Sequence, residues 1–260
     1  MLPRPRAMYF SGLVSHLRDI LACQALSFVF QPVFDLRRRE VLGYETLMRG
    51  PVDSPLHTPE QLLRVARDAG LGLPLEHLAV RRAISAFVAA ALPGRLFINL
   101  SGAMIVDLMR DDGLSAVLNE GGLEASRLVV EYMEADTPPQ GLTEAWAHLP
   151  ALGCGRAIGR SGIAADFLKL TPPRSRRIHA DPTRQEALAL LVDEARGHGL
   201  QVIAEGIEDA RDLAALCALG CDCAQGYLLG LPAAEPVRQL SRSVAGLLAT
   251  ACDKAPVKLR

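Results

Sequence analysis

Six polar residues sit at or beside the ends of strand-like runs in this chain, and their types could do chemistry together. Glu45 falls in EVLGYETLM, Asn99 in LFINLS and Glu131 in LVVEYME. Lys169 falls in DFLKL, Glu205 in LQVIAEG, and Gln225 opens the turn Ala224-Gln225-Gly226-Tyr227. Carboxylate and amide oxygens brought to one place suit a hard divalent cation such as Mg²⁺ or Mn²⁺. A lysine beside them suits an anion or a metal-bound water. One glutamate at a strand end is ordinarily a solvated surface group. Six polar groups on successive strand ends point instead to a shared site.

The elements that would position them alternate in type. Residues 11–24 read as a helix, with Leu13, Leu17, Ile20 and Leu21 on one side. Strand-like runs follow at 26–36 and 40–48, separated by Arg37-Arg38-Arg39; so short a link requires an antiparallel pair. Helices are then expected at 59–69, 75–91, 103–119, 142–152, 184–198, 208–219 and 235–249. Strands are expected at 96–101, 128–134, 166–170 and 200–206. Repeated strand–helix alternation argues a parallel sheet with crossover helices. The chain has 260 residues, and a closed α/β barrel needs about 250. The fold expected is therefore a (βα)8 barrel. An open doubly wound sheet is second, because no glycine-rich phosphate turn follows the first strand. In a barrel the strand ends converge on the face where such folds build their sites.

Composition narrows the partners. Half of the residues are hydrophobic and 22% are charged, enough to bury a large core. With 28 basic against 29 acidic residues the formal charge is −1, which excludes a basic nucleic-acid coat and an acidic disordered chain. Aromatics are 5%, with Trp146 the single tryptophan, so a stacking platform for single-stranded nucleic acid is not expected. The opening MLPRPRAMYF has no apolar run of signal length, and no stretch nears the ~18 residues of a membrane span. The six cysteines, at 23, 154, 217, 221, 223 and 252, read as reduced thiols of a cytoplasmic protein. Cys217, Cys221 and Cys223 lack the second pair a metal knuckle needs and read as small buried residues.

At this point the motifs carry a resemblance. Gln31-Pro32-Val33 with Tyr44-Glu45-Thr46-Leu47-Met48-Arg49 resembles the opening of the EAL domain, a bacterial cyclic-di-GMP phosphodiesterase family named for Glu-Ala-Leu. Asn99-Leu100-Ser101, Glu131-Tyr132-Met133-Glu134 and Asp166-Phe167-Leu168-Lys169-Leu170 are similar to its Asn-Leu-Ser, Glu-x-Thr-Glu and Asp-x-Leu-Lys-Ile motifs. Ala204-Glu205-Gly206-Ile207-Glu208 and Gln225-Gly226-Tyr227 match its last two. The resemblance spans about residues 25–236. It implies a TIM-like barrel with an antiparallel first strand. The residues divide the chain into a helical extension over 1–24, the barrel over 25–250 and a flexible, polar tail over 251–260. The resemblance also implies metal-activated water attacking one phosphodiester of cyclic-di-GMP to give linear pGpG. Glu45, Asn99 and Glu131 would be metal ligands, and Lys169 would hold the attacking water or a phosphate. Glu205 would support the metal, while Gln31, Arg49 and Gln225 would contact the nucleotide, Arg49 as a bidentate phosphate donor.

The chain departs from the family at one motif. Where Asp-Asp-Phe-Gly supplies two metal ligands, this sequence reads Ala157-Ile158-Gly159-Arg160-Ser161-Gly162. About one helix of sequence after that motif is missing, and Thr171 replaces a later aspartate. A divalent cation about 4 Å from Arg160 would feel about 8 kcal/mol of repulsion at an effective dielectric near 20. Arg177, in Arg177-Ile178-His179, is the alternative to Lys169 for the family's lysine. Asp166, taken to share the strand face of Lys169, is a candidate substitute acid. The reading is a degenerate EAL domain without hydrolysis, needing no cofactor, which binds cyclic-di-GMP or a regulatory protein partner. The alternative is an active phosphodiesterase using Mg²⁺ or Mn²⁺. No nucleic acid or membrane partner is expected, and the oligomeric state is left open.

Overall fold

The computed structural model describes residues 5–133, 137–159 and 164–251, with side chains from Phe10 onward. Glu134, Arg160 and the tail beyond Ala251 lie outside the described residues.

Eight strands close into a barrel in chain order. They are β1 (Ser27–Asp35), β2 (Glu40–Arg49), β3 (Arg95–Ser101), β4 (Leu128–Met133), β5 (Gly155–Ile158), β6 (Phe167–Leu170), β7 (Gln201–Ala204) and β8 (Cys223–Ala224). β1 runs antiparallel to both neighbours, and every pair from β2 to β8 is parallel. Helices α1 (Pro5–Ala22), α2 (Pro59–Asp68), α3 (Gly72–Ala89), α4 (Gly102–Leu108), α5 (Gly113–Gly121) and α6 (Leu142–His148) precede β5. Helices α7 (Pro172–Ser175), α8 (Pro182–Gly197), α9 (Ala210–Ala218) and α10 (Arg242–Ala251) follow β6.

Local sequence sets several boundaries. Thr58 and Gln61 form a capping box at the start of α2. Ser101 ends β3 and caps α4 by accepting the Met104 N–H at 3.2 Å. The single helix expected at 103–119 is two, because Asp111 and Asp112 both adopt left-handed backbone (φ 49° and 57°), which short polar side chains tolerate. The last helix starts at Arg242 rather than 235. Before it the chain straps across the barrel, with Tyr44 Oη donating to the Val237 carbonyl and Arg238 donating to those of Ala90 and Ala91.

Two cores result. Helix side chains and outward strand residues form the larger one, into which α1 buries Leu17 and Ile20, each contributing about 1.5–3 kcal/mol. Inside the barrel, Val33, Phe97, Val129, Ala157, Phe167, Ile203 and Cys223 pack together. Gly43 lets β2 approach β3, since a Cβ there would meet the Arg95 carbonyl oxygen at 2.2 Å. Cys154, Cys221 and Cys223 are free and buried, whereas Cys217 is disulfide-bonded. That corrects the expectation of reduced thiols throughout, and the spacing of the cysteines carries no signal of the pairing.

One crossover differs from the rest. Residues 159–166 alone join β5 to β6, fewer than the dozen or more that a parallel crossover ordinarily uses. The described residues of this link hold no helix. No described helix is long and apolar enough to cross a membrane.

Candidate functional site

Strand alternation repeats every second residue on the same face. Two residues beyond the inner layer, β3 places Asn99, β4 Glu131, β6 Lys169, β7 leads to Glu205 and β8 to Gln225. β1, running the other way, places Gln31 two residues before Val33. On β2, Glu45 is in register with Gln31 on one side and Phe97 on the other. The mouth of the barrel is thus a second layer of side chains directly above an apolar plug. On β5 this layer falls at Gly159, where a Cβ would meet nothing within 4 Å.

Lys169 is the centre of the mouth. Its Nζ lies 2.6 Å from Glu131 Oε2, 2.8 Å from Glu205 Oε1 and 3.1 Å from Glu45 Oε2, and the residue is 2% exposed. Asn99 Nδ2 donates to Glu45 Oε1 at 2.7 Å. Gln225 Nε2 donates to Glu45 Oε2 at 2.8 Å and to Gln31 Oε1 at 3.0 Å. Gln31 Nε2 in turn donates to the Gly230 carbonyl. Gln225 Oε1 is buried and accepts nothing.

The electrostatics follow from burial and this arrangement. Burial pushes the Lys169 ammonium toward losing its proton, but Glu131, Glu45 and Glu205 together hold its pKa well above the ordinary value. Burial pushes Glu45 up, yet Lys169 and the donors Asn99 and Gln225 outweigh it and hold the carboxyl below its usual range. Glu131 has fewer donors. Burial, with Glu45 and Glu205 adding repulsion, pushes it up to about 7 despite Lys169.

The structure brings Gln31, Glu45, Asn99, Glu131, Lys169, Glu205 and Gln225 into one connected cluster. Arg49, at the end of β2, stays outside that network and donates to the Met48 carbonyl. Arg160 lies outside the described residues. Arg177 is not the strand lysine: it sits on a turn with φ 55°, its N–H donating to Asp212. Asp166 is not a substitute acid at the mouth. It precedes Lys169 by three residues, an odd number that puts it on the other strand face. There it accepts the Arg156 N–H and pairs with Arg156 Nε at 3.7 Å. Sequence reasoning also missed the Gly230 carbonyl that orients Gln31, since a backbone acceptor leaves no mark in residue types.

The donor set as placed does not fit a divalent cation. The point where Glu45, Glu131 and Glu205 converge is filled by an ammonium, and β5 contributes no side-chain oxygen at Gly159. Among the described residues no group of three or more His, Cys, Asp or Glu side chains is disposed to hold a metal.

An eight-stranded barrel with one reversed strand and an acid–lysine–amide mouth defines the class. The EAL domain profile matches residues 15–232, and the chain belongs to the EAL domain family. Cyclic di-GMP phosphodiesterase PdeR of Escherichia coli is 29% identical over 248 residues, covering 87% of this chain and 37% of PdeR. Cyclic di-GMP phosphodiesterase PdeF of the same organism is 26% identical over 238 residues, covering 85% of this chain and 32% of PdeF. The chain therefore spans about a third of the length of the curated relatives it matches. In fold it is similar to the crystal structure of the Xanthomonas citri FimX EAL domain in complex with c-diGMP. The TM-score is 0.80 at 20% identity, covering 92% of this chain and 99% of that one.

Proposed function

We propose that this domain binds cyclic-di-GMP at the barrel mouth without hydrolysing it, and so acts in cyclic-di-GMP signalling as a receptor or through a regulatory protein partner. The observation that carries this reading is Lys169 standing among three carboxylates beside the bare Gly159 position. Hydrolysis by two-metal chemistry needs those oxygens for cations, and here one ammonium contacts all three while β5 offers no carboxylate at Gly159. Binding is supported by the polar groups that remain. Gln225 Oε1 is a buried acceptor with no donor, which a base N–H would satisfy. Arg49 at the rim offers a guanidinium for phosphate. The test is a calorimetric titration with cyclic-di-GMP in EDTA and in Mg²⁺, alongside a turnover assay in Mn²⁺. Metal-independent binding with no turnover supports the proposal. Strictly Mg²⁺-dependent binding, or turnover near 1 s⁻¹, an ordinary enzyme rate, overturns it in favour of an active phosphodiesterase. No binding in either buffer shifts the role to a protein partner.

A further inference from the structure

Every other parallel step round the barrel carries a helix, but among the described residues the β5–β6 link carries none. Outside these two strands, where that helix would lie, is a hollow of about 560 Å³. Ile158 of β5 and Leu168 of β6 form its floor, and Leu191 and Ala195 of α8 form one wall. Ala164 and Ala165 of the link form the other, held by Trp146 Nε1, which donates to the Ala164 carbonyl at 2.7 Å. Strand alternation turns Ile158 and Leu168 away from the inner layer of Ala157 and Phe167, so the hollow is separate from the mouth.

The rim of this hollow is acidic. On α8, Glu186, Leu190 and Glu194 stand one helical turn apart on a single ridge, all exposed, Leu190 at 72%. Asp166 ends the link, and its side chain is 45% exposed. The cation at the hollow, Arg156, is already paired with Asp166 at 3.7 Å. Arg196 turns elsewhere, to Asp193 and the Gly220 carbonyl. His198 lines the hollow at the C-terminal end of α8. A small molecule in the hollow would leave Leu190 in water, whereas a helix laid along α8 covers hollow and ridge together. We infer that this groove docks a basic amphipathic helix of a partner protein, which takes the place of the crossover helix that β5–β6 lacks. Its apolar stripe covers Leu190, Leu191 and the floor, and its lysines or arginines meet Glu186 and Glu194. The surface lies apart from the mouth, so the inference does not rest on cyclic-di-GMP binding there.

Trp146 is the single tryptophan of the chain and bonds to the link, so its fluorescence reports on the groove. The probe is a synthetic peptide about four helical turns long, with leucines in the i, i+3, i+4, i+7 pattern and lysines elsewhere. A saturable change in Trp146 emission is expected with the full chain. Its Kd should be about tenfold lower than for the same pattern with glutamates in place of lysines. The leucines and lysines in scrambled order should give no saturation. Leu190→Ser, at an exposed position that leaves the fold intact, should weaken the lysine peptide about tenfold, the scale of one partly covered leucine. Glu186→Lys with Glu194→Lys, also exposed, should reverse the preference between the two charged peptides. An unmoved Trp146 signal, equal binding of patterned and scrambled peptides, or an unreversed preference would each overturn the inference. So would a wild-type dimer in sedimentation that Leu190→Ser converts to monomer, because the groove would then belong to a second copy.

Discussion

Of the three carboxylates around Lys169, the nearest to its ammonium is Glu131 at 2.6 Å, yet burial pushes the Glu131 pKa up to about 7. Proximity to a cation is outweighed there because Glu131 is buried beside Glu45 and Glu205, while the amide donors Asn99 and Gln225 reach Glu45 and not Glu131.

That difference sets a pH dependence. A carboxyl raised from 4.5 to about 7 contributes stability that is fully present below pH 4.5 and lost as pH rises through 7. The amount is about 3 kcal/mol at roughly 1.4 kcal/mol per pKa unit. Urea melts of the wild type should weaken between pH 4.5 and 8, and Glu131→Gln should flatten the curve over that window. A variant keeping the wild-type slope would refute the assignment.

Lys169→Met keeps most of the side-chain volume and removes the charge. Three carboxylates then share a buried site with no counter-charge, a loss of about 3–5 kcal/mol. Chemical denaturation should report it, and adding Glu131→Gln to the same chain should recover part. An unchanged midpoint in Lys169→Met would contradict the central role given to the ammonium.

Gly159→Asp tests whether the missing acid is what denies metal. The position has open space for a Cβ and its φ is not left-handed, so the variant should fold within about 1 kcal/mol of wild type, as surface substitutions do. It should also gain Mn²⁺-dependent stabilisation, about 2.7 kcal/mol at a hundredfold excess over Kd. Thermal melts with and without Mn²⁺ decide the matter: equal responses in variant and wild type would put the defect elsewhere.

Arg49→Ala should weaken cyclic-di-GMP binding by about 1.5–3 kcal/mol, the range for a hydrogen bond to a charged group. Calorimetry at constant salt measures it. Affinity within twofold of wild type would mean that Arg49 keeps its bond to the Met48 carbonyl and never turns to phosphate.

Much of this architecture is legible in the residues because long strands advertise themselves. β1 to β4 are six to ten residues long with apolar runs, and the three-arginine link between β1 and β2 dictates their antiparallel pairing. β5 escapes notice, since four residues containing Arg156 give no periodicity. Glu45, Asn99, Glu131, Lys169 and Glu205 are visible as candidates because each interrupts or ends an apolar run. Their mutual bonding is not visible: the sequence suggests a lysine holding water or phosphate, whereas the folded chain directs that lysine at three glutamates. The error over Asp166 is one of parity, a three-residue step mistaken for two.

Gln31 and Gln225 are joined at 3.0 Å across 194 residues of chain. Closing a loop of that length costs about 5 kcal/mol of chain entropy beyond a constant, repaid only when β8 docks between β7 and the reversed β1. A nascent chain emerging as far as residue 205 carries Glu45, Asn99, Glu131, Lys169 and Glu205, but not Gln225, the second amide that braces Glu45. The clasp between Gln31, Gln225 and Glu45 therefore closes only after all eight strands of the barrel have been made. A chain interrupted before residue 225 lacks both Gln225 donor bonds, to Glu45 and to Gln31, and leaves that side of Glu45 without its brace.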